Sequence, residues 1–319
     1  MLVQGPDLAA QFQQNVLAGL SQPQKAIPAR WFYDRRGSEL FEEITRLPEY
    51  YPTRTEIGIF EGCMGEVAAR AGPGRVVVEF GAGSMTKTPL VLDAMAPAAY
   101  VPVDISGEFL HESSASLEAR YPDMPVLPVE ADFLHPFPLL AEAGHGARLG
   151  FFPGSTIGNM EPAPAVDLLR AMHETLGSEA MLLIGMDLIK DRQILLAAYD
   201  DAAGVTATFN RNLAERINRE LGGTIPLDAV VHRAVWNEPL ARIEMHLVAT
   251  RDFAFEVCGQ AFAMAAGETI HTENSHKYSP ESASLLLLAG GWEPLARYQD
   301  DERLFMVVLA RAILPGLTA

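Results

Sequence analysis

The sequence predicts an α/β protein with a largely parallel sheet and an added second domain. Residues 75–80 read Arg-Val-Val-Val-Glu-Phe, a run that is typical of a strand buried on both faces of a parallel sheet. Gly81 and Gly83 follow directly and allow the tight turn that leads out of such a strand. From residue 75 onward, strand-like runs alternate with helical patterns, as they do in parallel α/β sheets.

The region before this alternation is predicted to be helical. Helices are expected over residues 1–22, 39–47 and 53–72. Ser38 precedes the second of them and is expected to be its N-cap, because a serine side chain accepts a hydrogen bond from the first backbone N–H groups of a helix. Thr53 and Glu56 have the spacing of a capping box at the start of the third helix.

The alternation of strands and helices extends to residue 188. Strands are predicted over residues 75–80, 100–104, 125–130, 149–153 and 181–188. Helices are predicted between them, over residues 90–95, 108–119 and 163–176. Beyond residue 190, two helices are predicted on either side of Gly204, and residues 241–251 and 304–311 have the apolar pattern of strands.

This pattern divides the chain into two domains. Residues 62–190 and 286–319 are predicted to form the α/β domain, and residues 1–61 and 191–285 a substrate-binding domain. Ligands of open parallel sheets bind beyond the carboxyl ends of the strands. Functional residues are therefore expected in the turns that follow the predicted strands.

The composition excludes several classes of function. The 319 residues carry a formal net charge of −17, which repels nucleic-acid phosphates and anionic membranes. No apolar run approaches the roughly 20 residues of a membrane span, and no signal peptide is predicted at the N-terminus. Cys63 and Cys258 lack the spacing of a disulfide framework or a metal site. We expect a cytoplasmic protein without nucleic-acid or membrane partners.

The turn after the first predicted strand has the residues of a nucleoside-binding site. Glu79 ends the strand, and a carboxylate accepts hydrogen bonds from hydroxyl and amino groups. The pattern Glu79-x-Gly81-x-Gly83 is similar to the cofactor turn of class I S-adenosylmethionine (SAM) methyltransferases. Thr86 replaces the third glycine of the dinucleotide pattern, which disfavours NAD. An ordinary turn between a strand and a helix is the alternative.

Charged residues follow this turn and the next two predicted strands. Asp104 ends the second strand, at the position where an acidic residue binds the ribose hydroxyl groups in this type of sheet. The alternative is that Asp104 caps the next helix. Asp132 and Phe133 follow the third strand. The Asp132 carboxylate is expected to accept a hydrogen bond from the adenine amino group, and the Phe133 ring to cover the base. The alternative is that Asp132 is an ordinary acidic residue of a loop. Lys87 is expected to pair with the SAM carboxylate or to be solvated. The candidate cofactor-binding residues are Glu79, Gly81, Gly83, Lys87, Asp104, Asp132 and Phe133.

Residues 154–159 follow the fourth predicted strand. Methyltransferases that act on amines commonly hold their polar substrate groups at this position. Asn159 offers an amide donor and a carbonyl acceptor, which orient an amine without adding charge. A loop asparagine with a left-handed backbone is the alternative.

A longer set of motifs resembles one enzyme family. The motifs are WFYD at 31–34, GSELF at 37–41, RLPEYYPTRTE at 46–56, GSTIGN at 154–159, AYDDAAGVT at 198–206, FNRN at 209–212, RIEM at 242–245 and TENSHKY at 272–278. In this order they resemble the histidine Nα-methyltransferases of ergothioneine biosynthesis. The resemblance implies a Rossmann-like SAM-binding domain and the conversion of L-histidine, with three molecules of SAM, to hercynine (N,N,N-trimethylhistidine).

The resemblance also implies how the imidazole ring is bound. Glu273 and Ser275 fall where the family holds this ring. A carboxylate accepts a hydrogen bond from a ring N–H, and a hydroxyl serves the other ring nitrogen. Met245 falls beside the imidazole.

The amino-acid end of the substrate is assigned in the same way. Tyr50 and Asn159 fall where the family holds the α-amino group, and Tyr199 falls at the substrate carboxylate. Tyr33 and Phe41 are expected to line the same pocket. Tyr33, Tyr50 and Asn159 are the candidate catalytic residues.

SAM is the expected cosubstrate, and no metal is expected. His271, Glu273 and His276 lack a fourth ligand for a metal such as zinc. The expected partner is a small-molecule amino acid, bound by a monomer. The alternatives are an NAD-dependent oxidoreductase, a non-catalytic SAM-binding protein, and an N-methyltransferase of another aromatic amino acid such as tryptophan.

Overall fold

The computed structural model describes residues 8–83, 85–105, 107–144 and 146–314, without the side chains of residues 108 and 109. The chain divides into two compact units. The first unit contains the described residues up to Tyr51 together with Lys190–His276, and the second contains Pro52–Ile189 and the described residues from Lys277 onward. The division predicted after residue 61 falls inside one continuous helix, Tyr51–Ala71. That helix therefore belongs to the second unit almost in full.

Helices and strands are numbered in chain order within the described residues. The helices are α1 (Leu8–Leu20), α2 (Arg35–Ile44), α3 (Tyr51–Ala71), α4 (Thr88–Met95), α5 (Gly107–Arg120), α6 (Pro162–Leu176), α7 (Arg192–Tyr199), α8 (Val205–Glu220) and α9 (Pro280–Ala289). The strands are β1 (Lys25–Ala26), β2 (Val76–Phe80), β3 (Ala99–Asp104), β4 (Val129–Glu130), β5 (Arg148–Phe152), β6 (Met181–Asp187), β7 (Val230–Asn237), β8 (Arg242–Ala249), β9 (Phe253–Val257), β10 (Gln260–Met264), β11 (Thr269–His276), β12 (Trp292–Gln299) and β13 (Phe305–Ala312).

Seven strands in the described part of the second unit form one sheet. Their order is β12-β13-β6-β5-β2-β3-β4. Strands β2 to β6 pair in parallel, and β13 runs antiparallel to both β6 and β12. Every residue of β2 is buried, as its run of valines predicted. The predicted parallel sheet is confirmed. Its antiparallel member is β13, which matches the strand predicted over residues 304–311, and the edge strand β12 was not predicted.

The sheet of the second unit has an apolar core on each face. Val78 faces one core together with Leu169 of α6, and Val77 faces the other together with Phe60 of α3. This alternation follows from the two-residue period of a strand. Because both faces are covered, the sheet leaves polar side chains room mainly at the ends of its strands.

The described part of the first unit contains a four-stranded sheet in the order β1-β11-β8-β7. Helix α8 lies against it, since the side-chain amide of Asn210 donates to the His246 carbonyl oxygen at 3.0 Å. A register shift in β11 falls between His271 and Glu273. As a result, His271 lies opposite His246 and Glu273 lies opposite Met245. A second, two-stranded sheet is formed by β9 and β10.

Two capping predictions are wrong. Helix α2 begins earlier than expected, and its N-cap is Asp34, whose side chain accepts from the Gly37 N–H at 2.7 Å, while Ser38 lies inside the helix. Helix α3 begins at Tyr51, ahead of Thr53, and the carboxylate of Glu56 is completely buried instead of capping the helix. In both places, a tertiary partner for an acidic side chain overrides the local capping pattern.

Other differences concern the ends and the second half of the chain. The first seven residues of the helix predicted over residues 1–22 lie outside the described residues, and α1 covers Leu8–Leu20. Strands β7 and β9 to β11 and helix α9 were not predicted. None of the described helices combines the length and hydrophobicity needed to cross a membrane.

Asp34→Ala is expected to lower the free energy of unfolding by about 1–2 kcal/mol, because a lost N-cap costs this much. The same carboxylate also accepts from the Asn212 side chain at 2.8 Å and pairs with Arg219, both on α8. Urea denaturation measures the loss. Ser38→Ala is the matched control and should stay within about 0.5 kcal/mol of wild type. A larger loss for Ser38→Ala than for Asp34→Ala would contradict the assigned cap.

Candidate functional site

The turn after β2 is built on a buried carboxylate. Glu79 is 2% exposed, and its Oε2 accepts from the hydroxyl groups of Thr88 at 2.7 Å and Tyr100 at 2.6 Å. Burial raises the pKa of Glu79 to about 7. Gly81 and Gly83 follow with φ of +72° and +45°, a conformation that strains other residues. Ser84, the next residue, lies outside the described residues.

Asp104 lies beside this turn. It ends β3, which pairs with β2, and its Oδ2 accepts from the Gly83 N–H at 3.3 Å. Asp132 follows β4, and its side chain accepts from the Leu134 N–H at 3.1 Å. The Phe133 ring packs edge-on against Phe80 at the end of β2, with ring centroids 6.2 Å apart. The predicted cofactor residues are therefore gathered at the carboxyl ends of neighbouring strands.

Lys87 is paired with a residue that the sequence analysis did not select. Its ammonium group forms an ion pair with Glu56 of α3. The two Glu56 oxygens also accept from the Gly154 N–H, at 2.9 and 3.1 Å. The sequence did contain a signal for Glu56. It shares one face of α3 with Phe60, Cys63 and Val67, whose helical spacing indicates a buried face.

Asn159 belongs to the second unit. It ends a 3₁₀ helix, Thr156–Asn159, which follows β5. Ser155 precedes this helix with a left-handed backbone at φ +57°, and its hydroxyl oxygen accepts from the Asp187 N–H at 2.9 Å. The segment that carries Asn159 is thus fixed to the end of β6. The left-handed backbone expected as the alternative role of Asn159 is found at Ser155 instead.

The remaining predicted substrate residues belong to the first unit, where four aromatic rings form a chain. The ring centroids are 5.6 Å apart for Tyr33 and Phe41, 6.2 Å for Phe41 and Tyr50, and 6.4 Å for Tyr50 and Tyr199. Phe209 of α8 contacts Tyr33 at 5.8 Å and Phe41 at 6.2 Å. Phe209 was part of a recognised motif but was not selected as a site residue.

The polar predicted residues of the first unit meet beside these rings. The hydroxyl groups of Tyr199 and Ser275 are 2.6 Å apart and buried. Glu273 lies two residues before Ser275 on β11, on the same side of the strand, and is paired with the buried Met245 of β8. The structure therefore brings Tyr199, Met245, Glu273 and Ser275 to one region.

A cluster of Glu244, His246 and His271 lies on the opposite face of β8 and β11, with ligand atoms within 4.8 Å of one another. The register shift separates His271 from Glu273, so the combination considered from the sequence is not formed. The two imidazole rings are stacked, with centroids 4.8 Å apart and planes inclined at 22°. Arg242 binds Glu244 at 2.8 Å. We interpret this cluster as a polar network that stabilises the sheet.

The sequence matches the family described as histidine-specific, SAM-dependent methyltransferases over residues 12–312. The chain belongs to this family. This methyltransferase is 42% identical over 311 residues to a histidine N-alpha-methyltransferase of Mycolicibacterium smegmatis, covering 95% of this chain and 96% of that protein. It is 28% identical to ergothioneine biosynthesis protein 1 of Neurospora crassa, over 90% of this chain and 33% of that protein. It also resembles the structure of a SAM-dependent methyltransferase from Clostridium acetobutylicum (TM-score 0.49, 10% identity, 86% of this chain and 99% of that chain).

Family membership and strand order agree on the fold. The methyltransferase has the class I SAM-dependent fold that the glycine turn and the strand alternation predicted. SAM is its cosubstrate, so the NAD alternative is excluded. The candidate cofactor residues all lie in the second unit with Asn159, and the other candidate substrate residues all lie in the first.

Glu79→Gln is expected to change how stability depends on pH. A carboxyl group whose pKa is raised from 4.5 to about 7 stabilises the fold below pH 4.5, and this contribution is lost as the pH rises through about 7. Glutamine does not titrate. The free energy of unfolding of the variant, relative to that of wild type, should therefore rise between pH 5 and pH 8, by up to about 3 kcal/mol. Urea denaturation at several pH values measures the difference. Glu302→Gln, at an exposed position, is the control. A difference for Glu79→Gln that does not vary with pH would contradict the raised pKa.

Proposed function

We propose that this methyltransferase transfers three methyl groups from SAM to the α-amino nitrogen of L-histidine and so forms hercynine, the first step of ergothioneine biosynthesis. Family membership and the names of the two relatives above support the substrate and the pathway. The observation that carries the proposal is the hydrogen-bonded pair of Tyr199 and Ser275, next to Glu273 and among aromatic rings. A pocket that combines rings with a carboxylate and hydroxyl groups fits an imidazole that carries an amino-acid backbone.

Each substrate group has a proposed partner. Glu273 accepts a hydrogen bond from one imidazole nitrogen, and Ser275 serves the other. Tyr199 donates to the substrate carboxylate. Tyr50 and Asn159 orient the α-amino nitrogen. Met245 packs beside the imidazole, and Tyr33 and Phe41 complete the lining.

Each cofactor group also has a proposed partner. Asp104 binds the ribose hydroxyl groups, and Asp132 accepts from the adenine amino group while the Phe133 ring covers the base. Lys87 pairs with the carboxylate of SAM, because an ammonium group has three N–H donors and Glu56 occupies only part of them. Glu79, Gly81 and Gly83 shape the turn that receives the nucleoside.

The proposed chemistry is an in-line displacement on the methyl carbon. A bond forms from the substrate nitrogen to this carbon while the bond from carbon to sulfur breaks, and the sulfonium becomes a neutral thioether. The nitrogen must present its lone pair, so one proton leaves for each methyl group, either to bulk water or through Tyr33. The sulfonium already activates the leaving group, so this transfer needs no metal.

The product is a permanent cation. Aromatic ring faces attract quaternary ammonium groups, and Tyr33, Phe41 and Tyr50 are in ring contact. These rings therefore tolerate the rising bulk and final charge of the methylated nitrogen. We propose that the enzyme works as a cytoplasmic monomer. A net charge of −17 repels nucleic-acid phosphates, which supports a free amino acid as the substrate.

Glu273→Ala is expected to lower kcat/KM for histidine steeply, by up to roughly 10⁴, because a site built on hydrogen bonds loses its main polar partner for the ring. Adding Met245→Val is expected to make room for an indole, so the double variant should methylate tryptophan better than wild type does. Mass spectrometry of products from histidine and tryptophan, supplied side by side, measures both effects. Glu256→Ala, at an exposed position of the first unit, is the control. Undiminished histidine turnover in Glu273→Ala would place the imidazole elsewhere.

Asp104→Ala is expected to weaken SAM binding by about 1–3 kcal/mol, the range for a lost hydrogen bond to a charged group. Isothermal titration calorimetry with SAM alone gives the Kd. Asp123→Ala is the matched control, because Asp123 is exposed in the same unit. An unchanged Kd for Asp104→Ala would refute the ribose role.

A further inference from the structure

Neither the local helix pattern nor the proposed ligand contacts explain why a carboxylate, Glu56, is buried in α3. It lies in the first third of α3 and is 0% exposed. A buried carboxylate carries a desolvation cost of several kcal/mol unless charged or polar partners offset it. The partners of Glu56 therefore indicate why the fold keeps an anion there.

These partners come from two segments that carry proposed functional groups. Lys87, whose ammonium group pairs with Glu56, follows the glycine turn and immediately precedes α4. The Gly154 N–H, which donates to both Glu56 oxygens, follows β5 and opens the segment that ends at Asn159. A single carboxylate thus binds the proposed cofactor lysine and the start of the proposed amine-binding segment.

The neighbouring strand leaves space for this carboxylate. A Cβ atom added at Gly185 of β6 would lie 1.9 Å from Glu56 Oε1. Gly185 does not have a positive φ, so space, not backbone conformation, explains the glycine there. The end of β6 is therefore shaped around Glu56.

We propose that Glu56 is a positioning residue that couples the two halves of the reaction centre within the second unit. It holds Lys87 toward the SAM carboxylate and holds Gly154, and through it Asn159, in place for the amine. This inference rests on the proposed roles of Lys87 and Asn159. It deepens them because it makes cofactor binding and amine orientation depend on the same anion.

Glu56→Gln separates the two contacts of this anion. Glutamine has the same shape and retains a carbonyl oxygen for the Gly154 N–H, but it lacks the charge that holds Lys87. We expect the Kd for SAM to rise about 10-fold, the effect of losing a charge-assisted contact, with kcat at saturating SAM within about threefold of wild type. Glu56→Ala removes both contacts and should in addition lower kcat about 10-fold or more, because the amine is no longer held in a reactive geometry.

A double-mutant cycle tests whether Glu56 acts through Lys87. Lys87→Met should weaken SAM binding, and adding Glu56→Gln to it should change the Kd by less than about twofold, since the effects of two residues that act through one contact do not add. Calorimetry with SAM gives the Kd values, and product formation at saturating SAM gives kcat. Equal or tighter SAM binding by Glu56→Gln, or additive effects in the cycle, would overturn the proposal.

A purely structural role predicts a different result. In that case Glu56→Gln would lower the Tm and leave both the Kd and the kcat of the folded protein unchanged. Leu287→Ala provides the comparison, because this fully buried residue of α9 lies in the core and outside both segments. It should lower the Tm alone. If Glu56→Ala does not fold, Glu56→Gln and the cycle with Lys87→Met still decide the question.

The outcome for wild type keeps this inference separate from the proposed function. If wild type binds SAM and methylates histidine while Glu56→Gln matches it in every respect, only the positioning role is wrong. If wild type does not methylate histidine, the proposed function is wrong, and the SAM affinities still report on the contact of Glu56 with Lys87.

Discussion

Parallel pairing in the central sheet is the constraint on which the second unit depends. Because β2 pairs in parallel with β3 and β5, their carboxyl ends emerge at the same edge. Both faces of these strands are filled by apolar cores, so the turns at this edge hold the polar groups. The bond from the Gly83 N–H to Asp104 joins two of these turns. The turns after β2 and β3 therefore lie side by side, and Thr88 of α4 supports the first of them through its hydrogen bond to Glu79.

Buried charge is the second feature of this edge. Glu56 and Asp187 are at most 1% exposed, and each has a lysine partner, Lys87 and Lys277. Glu79 is bound by hydroxyl groups instead, so burial raises its pKa to about 7. Each carboxylate is thus compensated by its own neighbours, as buried charges must be.

In the first unit, the register shift in β11 determines which face of the sheet the proposed substrate residues occupy. A strand alternates its side chains between two faces, and one extra residue reverses that alternation. The shift between His271 and Glu273 leaves His271 stacked on His246 on one face. It turns Glu273 and Ser275 to the other face, where Ser275 meets Tyr199. The proposed specificity for imidazole therefore depends on one irregularity of the backbone.

The sequence by itself determined the parallel sheet and the cofactor turn. Three consecutive valines in β2 and the glycines at 81 and 83 report on burial and backbone conformation, which are local properties of a few neighbouring residues. The motifs that resemble the methyltransferase family supplied the substrate residues, and their roles remain proposals. Local rules were least reliable for acidic residues near helix ends.

Only the tertiary structure decided which partner an acidic side chain takes. Asp34, not Ser38, caps α2, because its carboxylate is also bound by α8, whose residues are distant in sequence. The capping-box spacing of Glu56 was a false signal, since Lys87 and the Gly154 N–H bind its carboxylate inside the core. A hydrogen bond or an ion pair depends on the distance between two atoms in space. That distance is fixed by the packing of whole elements, and no short stretch of sequence contains it.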